Sequence, residues 1–421
     1  MNVLIVPCGT EIGMEISRSL KNVKNITLFG ANSIADHSQY DFEHFISGVP
    51  FLGDPEFESA IKDIVQSHSI DFIIPAHDDA TIAIKSIERE LGCVVVAPNL
   101  ETCQIARSKN RTYACLQGVV RTPKTYQFGE VSDFPVFIKP DVGQGSQGAY
   151  KINDNSELEF RYSEGMVICE YLPGAEYTVD CFTDGTGQLL SAQPRERKAV
   201  KNGIAVSTEN VAKGLEKFKA FAEKINGALK LKGAWFFQVK EDIHGELCLL
   251  EIAVRIAGSM ALNRVRGINY AELSLYLFNG YSVSVLEQDI NVSMHRCLAN
   301  RYTLSISFNK LYCDFDDCLY INENKINLQL VALIYKAHND GKLVSLITRH
   351  KGDLNRKLRE LRISDLFSEI IHITDASPKS NYIIEKDAIF IDDSFAERLD
   401  VSANCGIPVF SVDAVESLLT L

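Results

Sequence analysis

Apolar and polar positions follow three rhythms along the chain. From residue 1 to about 100, short β-rich runs ("NVLIV", "NITLF", "DFIIP", "CVVVAP") alternate with helical patterns such as "DPEFESAIKDIVQSH", where Asp54 and Pro55 form a helix start. Strands alternating with helices predict a parallel sheet with crossover helices. From about 101 to 300 the strands come in neighbouring pairs, "VICEYL" with "EYTVDCFT" and "GAWFFQVKED" with "GELCLLEIAV", the second pair turning at "IHG" as a hairpin. After about 305 the βα rhythm returns: "KLYCDF", a helix near 326–340, "LVSLIT", a helix near 353–361, "AIFIDD" and "IPVFSV". The fold class expected is therefore α/β and α+β multidomain, with domains at 1–100, 101–300 and 305–421.

Composition narrows this picture. The 421 residues are 46% hydrophobic, enough for packed cores, and carry a net charge of −12, which argues against nonspecific attraction to nucleic acid or anionic lipid. No uncharged apolar run is long enough to span a membrane, and "MNVLIVPCGTEIG" lacks the basic flank of a signal sequence, so a cytoplasmic location is expected. Eleven scattered cysteines without a C-x-x-C pair fit reduced core residues.

Candidate chemistry begins after the first strand. "PCGTEIGMEI" puts Gly9 and Gly13 where backbone N–H groups could meet an anion, or where a tight turn needs glycine. In "PAHDDA", His77, Asp78 and Asp79 follow a strand, a ligand-binding position in open sheets, although either aspartate could cap the next helix. "FPVFIKPDVGQGSQGAYKI" sets Lys139 at a strand end before a loop containing Gly143, Gly145 and Gly148. Such a loop either cradles phosphates or is a flexible hairpin. "VICEYLPGAEYTVD" offers Glu170, Leu172 and Glu176, and "FFQVKEDIHGELCLLEIAVR" puts Gln238 and Glu251 on paired strands with Arg255 beyond. An amide oxygen and a carboxylate suit magnesium, though ordinary cross-strand pairing explains them too.

With "ARSKNRTYACLQGVVRTP", where Lys109 precedes a helix, these stretches resemble in order the ATP-grasp superfamily, particularly its carbamoyl-phosphate-synthetase-like ligases, over residues 1–290. The resemblance implies an N-terminal Rossmann-like pre-ATP-grasp domain followed by an ATP-grasp fold. It implies that Lys109 and Lys139 bind ATP phosphates under a loop of Gly145, Ser146 and Gly148. Glu170 and Leu172 would face the adenine, Glu176 the ribose. Gln238 and Glu251 would hold Mg2+, and Arg255 would meet the γ-phosphate or the acyl phosphate formed from it. The implied activity joins a small-molecule carboxylate to an amine, less often a thiol, through an acyl phosphate. One departure stands out: the family's E-x-N-x-R reads "EIAVR" here, so Ala253 replaces an asparagine that helps hold a second metal; either Glu251, water and nucleotide alone hold that ion, or a residue such as Asn263 substitutes. A module weakened at this point, binding nucleotide or substrate only, is the alternative. "QPRERKAVKNGIA" concentrates Arg195, Arg197, Lys198 and Lys201 on a hairpin or lid, where Arg195 and Arg197 would contact the acceptor carboxylate or phosphates, unless this is simply a solvated face.

A second resemblance covers 306–421. "CDFDDCL" fits the D-x-D signature of haloacid dehalogenase-like (HAD) phosphohydrolases, followed by Thr348 in "LVSLITRH", Lys379 in "SPKSNYI", and Asp392 and Asp393 in "AIFIDDSF". It implies Asp314 as nucleophile, Asp316 as acid and base, Thr348 and Lys379 on the phosphoryl oxygens, and Mg2+ held by Asp314, Asp392 and Asp393. Roughly thirty residues separate Asp314 from Thr348 and again Thr348 from Lys379, too few for a large cap. An open site would admit a bulky phosphorylated substrate or be covered by the rest of the chain or by a second subunit in a homo-oligomer. The expectation is a bifunctional enzyme. A HAD-like part that only docks is the remaining alternative.

Overall fold

A computed structural model describes residues 1–421 apart from 144, 146, 202, 322–324 and 420–421. The chain forms two compact units, Met1–Leu298 and Ala299–Leu421.

The first unit opens with a five-stranded parallel sheet, β1 (Asn2–Val6), β2 (Thr27–Ala31), β3 (His44–Ile46), β4 (Phe72–Pro75) and β5 (Val94–Val95), in the order β3-β2-β1-β4-β5. Central strand β1 is apolar on both faces, as a strand covered by helices on either side must be. The glycines of the first turn serve packing. A Cβ on Gly13 would stand 2.4 Å from the Cys8 carbonyl oxygen, and one on Gly9 2.2 Å from Asp36 Oδ2. Thr10 Oγ1 caps the Glu11–Leu20 helix by accepting from the Gly13 N–H at 3.0 Å. The next helix begins at Phe57 rather than at Pro55, because the Glu56 N–H donates to Asp54 Oδ1 in a turn that precedes it.

Two antiparallel sheets follow. The smaller comprises β6 (Thr125–Tyr126), β7 (Val136–Pro140), β8 (Tyr150–Ile152) and β9 (Met166–Glu170), ordered β6-β9-β7-β8. The larger comprises β10 (Glu176–Thr183), β11 (Leu189–Lys201), β12 (Ile204–Asn210), β13 (Gly233–Glu241), β14 (Leu247–Ala253) and β15 (Ser293–His295), ordered β14-β13-β10-β11-β12-β15. "VICEYL" and "EYTVDCFT" are not partners, contrary to the expectation from their proximity. Segment 171–175 carries the chain from one sheet to the other, and the Gly174 N–H donates to the Glu241 carbonyl at 2.9 Å, so close that a Cβ there would lie 2.6 Å from that oxygen. Buried Leu4, Val6, Phe57 and Ile73 of the first sheet's layers share one core with Trp235, Phe237 and Leu249 of the six-stranded sheet.

The second unit is a parallel sheet of β16 (Lys310–Cys313), β19 (Leu343–Thr348), β20 (Glu369–His372), β21 (Ala388–Ile391) and β22 (Val409–Phe410), ordered β20-β19-β16-β21-β22. The insertion after β16 is a small hairpin, β17 (Tyr320–Ile321) with β18 (Lys325–Ile326). Apolar side chains cover both sheet faces. Among the described residues no helix is long and apolar enough to cross a membrane, and all eleven cysteines are free, most of them buried.

Candidate active sites

In the first unit, residues far apart in sequence meet in one cavity lined by Lys109, Lys139, Gly145, Glu170, Leu172, Glu176, Arg197, Gln238 and Glu251. Each arrives by a local cause. Ser108 caps the Lys109–Leu116 helix through Oγ, so Lys109 lies at its first turn and Tyr113 one turn on, along the same face. Lys139 is the penultimate residue of β7, with its side chain buried. Gln238 and Glu251 are direct cross-strand partners, and a bulge then shifts the register so that Val239 faces Leu249 and Leu250 has no partner. Its freed carbonyl accepts from the Tyr113 hydroxyl at 2.8 Å and from Lys139 Nζ at 3.2 Å, while Lys139 Nζ also donates to the Tyr113 oxygen at 2.8 Å. Tyr113, which no family motif points to, thus ties a lysine of one sheet to a strand of the other. Its signal in the sequence is the i, i+4 spacing from Lys109.

Lys109 Nζ lies 3.8 Å from Glu251 Oε2 and donates to the Asp141 carbonyl at 3.3 Å; burial, partly offset by Glu251, lowers its pKa. Arg197 Nη1 reaches Glu176 at 2.6 Å and Gln238 Oε1 at 2.8 Å, and Nη2 reaches the Gly203 carbonyl at 2.8 Å. Glu170 is held by Arg121 at 3.1 Å and by the Lys124 N–H at 3.2 Å. The glycine loop touches the tip of the β11–β12 hairpin, where a Cβ on Gly203 would sit 1.9 Å from the Gly145 carbonyl carbon. Gly148, at φ +70°, turns the loop back against Pro140 and does not line the cavity. Ser146 lies outside the described residues.

A second cavity shares Lys109, Arg197, Gln238 and Glu251 with the first and extends past His77, Asp78, Arg195, Phe236, Ala253 and Arg255. Here the structure alters four expectations. Arg255 is clamped by Asp78 through two hydrogen bonds of 2.8 and 2.7 Å, and although burial raises the Asp78 carboxyl, the arginine outweighs it and the net shift is downward. Arg195 is buried against Asp180, at 2.8 and 3.1 Å, and so enters the cavity wall as half of a neutral pair rather than as a free cation. Asn263 donates to the same Asp180 at 2.9 Å, accepts from Arg266 and lines neither cavity, so it does not stand in for the missing donor at Ala253. The cap of the Asp78–Ser86 helix is His77, whose Nδ1 accepts from the Asp79 N–H, not either aspartate; Asp79 pairs with Arg107 at 2.7 Å. Burial keeps His77 below its usual pKa.

The donor set suits one hard cation. Gln238 Oε1 retains a lone pair beside its bond from Arg197, and Glu251 is partly solvated and next to it across the strands. No third oxygen donor joins them at residue 253.

In the second unit Asp314 and Asp392 follow the adjacent strands β16 and β21, and Lys379 Nζ bridges them at 2.8 and 2.7 Å. Carboxylate oxygens of Asp314, Asp392 and Asp393 lie within 4.8 Å of one another, a spacing that fits a divalent cation. Burial pushes the Asp314 carboxyl up to about 6 despite the lysine, and raises Asp392 as well. Thr348 is buried at the end of β19, its Oγ1 accepting from the His350 N–H at 3.1 Å. Asp316 is half exposed, with His350 Nδ1 at 2.9 Å, a partner legible only as a histidine two residues past Thr348.

Residues 162–298 match the family model described as ATP-grasp in the biosynthetic pathway with Ter operon. No curated protein matches the sequence. Among solved structures, the Staphylococcus aureus N5-carboxyaminoimidazole synthetase complexed with ADP is similar at 16% identity and TM-score 0.59, over 70% of this chain and 82% of that one. The L-amino acid ligase of Bacillus licheniformis is similar at 19% identity and TM-score 0.55, over 66% and 74%. The biotin carboxylase domain of Hydrogenobacter thermophilus 2-oxoglutarate carboxylase, in complex with MgADP and bicarbonate, is similar at 16% identity and TM-score 0.58, over 68% and 71%. The family match over residues 162–298 and the likeness to these solved structures agree: the Met1–Leu298 unit has the ATP-grasp fold.

Proposed function

We propose that the first unit is an ATP-dependent ligase that activates a small-molecule carboxylate as an acyl phosphate and transfers it to an amine. The observation that carries this reading is the convergence of Lys109, Lys139, Gln238 and Glu251 in a single cavity continuous with a second one. Lys109 and Lys139 neutralise the nucleotide phosphates, with Tyr113 fixing the Lys139 ammonium. Leu172 and the strand edge beside Glu170 receive the adenine, and Glu176 the ribose. A carboxylate oxygen in the second cavity attacks the γ-phosphorus, the bond to the ADP oxygen breaks, and the amine then displaces phosphate from the acyl carbon. Magnesium bound through Gln238 and Glu251 would supply charge neutralisation for the phosphates. Contact of the glycine loop with the hairpin tip supports exclusion of water, which an acyl phosphate requires. ADP release screened across amino acids and other carboxylates, with amine acceptors, tests the reading. Nucleotide binding without turnover on any pair would leave the module a binding domain.

The Asp314, Lys379 and Asp392 cluster favours a second activity in the Ala299–Leu421 unit, hydrolysis of a phosphoester in the manner of HAD-like enzymes. Asp314 attacks phosphorus and the alcohol leaves with a proton from Asp316. Asp316, held by His350, then takes a proton from the water that releases phosphate and restores Asp314. Thr348 and Lys379 hold the phosphoryl oxygens. A divalent cation on Asp314, Asp392 and Asp393 would offset repulsion between these carboxylates and the substrate. Because the Asp314 carboxyl must ionise to ligate, and burial holds it near about 6, Mg2+ affinity without nucleotide is expected to fall as pH drops through 6. Calorimetry in buffers of different ionisation enthalpy reads the proton released; pH-independent affinity between 5 and 7 would remove Asp314 from the site.

A further inference from the structure

The face of the six-stranded sheet that floors both cavities presents its side chains in cross-strand rows. One row runs Thr178, Gln238, Glu251 and supplies two oxygen donors. The next row on that face runs Asp180, Phe236, Ala253. Nothing in it can ligate an ion facing the cavities: Ala253 has no donor, Phe236 lies under the Arg255 guanidinium at 5.4 Å, and Asp180 is fully buried and bound by Arg195 and Asn263. A second hard cation therefore finds no protein oxygen there among the described residues.

A fixed cation is present instead. The Arg197 side chain is only 8% exposed, yet it lines both cavities where they join. Two of its nitrogens bind Glu176, Gln238 and Gly203, while its Nε–H is buried with no acceptor among the described residues. A buried donor without a partner is costly unless a ligand completes it, and guanidinium geometry suits a phosphoryl oxygen. We propose that a single divalent cation, on Gln238 and Glu251, and the guanidinium of Arg197 together neutralise the transferring phosphoryl group, Arg197 supplying positive charge that the resembling family draws from a second ion. This rests on the nucleotide reading of the site above.

Two measurements test it. Mn2+ bound in the presence of saturating ADP, counted by electron paramagnetic resonance on the full chain carrying Asp392→Asn and Asp393→Asn, is expected to be one per chain; two would overturn the proposal. Arg197→Gln is expected to weaken the ATP analogue AMP-PNP about tenfold while changing adenosine affinity by less than about twofold, with Arg197→Lys recovering part of the loss. Equal weakening of adenosine and AMP-PNP would assign Arg197 to holding Glu176 at the ribose and overturn its phosphate role. If the unsubstituted chain binds neither ADP nor AMP-PNP, the nucleotide reading itself has failed, a result distinct from both.

Discussion

Lys139→Ala is expected to lower ATP-dependent ADP release by a factor on the order of 10²–10³ in kcat/KM while leaving p-nitrophenyl phosphate hydrolysis unchanged. The lysine is buried, so its charge is poorly screened and acts on phosphate at close to full strength. Its ammonium is also oriented, by the Tyr113 hydroxyl and the Leu250 carbonyl, both fixed by the bulge in β14. Removing it leaves those oxygens facing the nucleotide phosphates, so the variant gains repulsion as well as losing attraction. Lys139→Arg is expected to restore little, because a planar fork does not fit a pocket shaped around a compact ammonium. A coupled ADP assay and a chromogenic phosphatase assay on the same preparations decide the matter, and loss of both activities together would refute independent sites.

Asp314→Asn is the second large effect: phosphoester hydrolysis is expected to fall by roughly 10⁴-fold or more, with ADP release retained. An amide oxygen is far too weak a nucleophile to form the covalent aspartyl phosphate, and the substitution also removes one of the three carboxylates close enough to share a cation. Lys379, now facing Asp392 alone, keeps a buried partner at 2.7 Å, so the fold should tolerate the change and the loss should be chemical. Hydrolysis that survives the substitution would leave the Ala299–Leu421 unit a docking module.

Arg195 and Arg197 illustrate how little one-dimensional proximity settles. They sit two residues apart on the same face of β11, and both read as cations near the substrate. The carboxylates on the adjoining strand β10, Asp180 beside Arg195 and Glu176 beside Arg197, decide otherwise. Arg195 meets a fully buried carboxylate and is consumed by it, whereas Arg197 meets Glu176 and Gln238 at the cavity rim and keeps one donor unspent. Arg255 differs in the same way, because Asp78, far away in sequence, closes on it with both carboxylate oxygens.

The sequence by itself determined which segments become strands and which helices, since burial on one or both faces of an element leaves a period of two, a period near 3.6 or a continuous apolar run. It also placed Lys139, Asp314 and Asp392 at strand ends, because each stands where an apolar run breaks, and Gln238 and Glu251 on paired strands. Only the tertiary structure decided which charges are spent and which are free, why Leu250 rather than its neighbours offers a carbonyl to Lys139, and that "VICEYL" and "EYTVDCFT" belong to different sheets. Those outcomes depend on register and on partners distant along the chain, and a charge buried in low dielectric is defined by its neighbours in space.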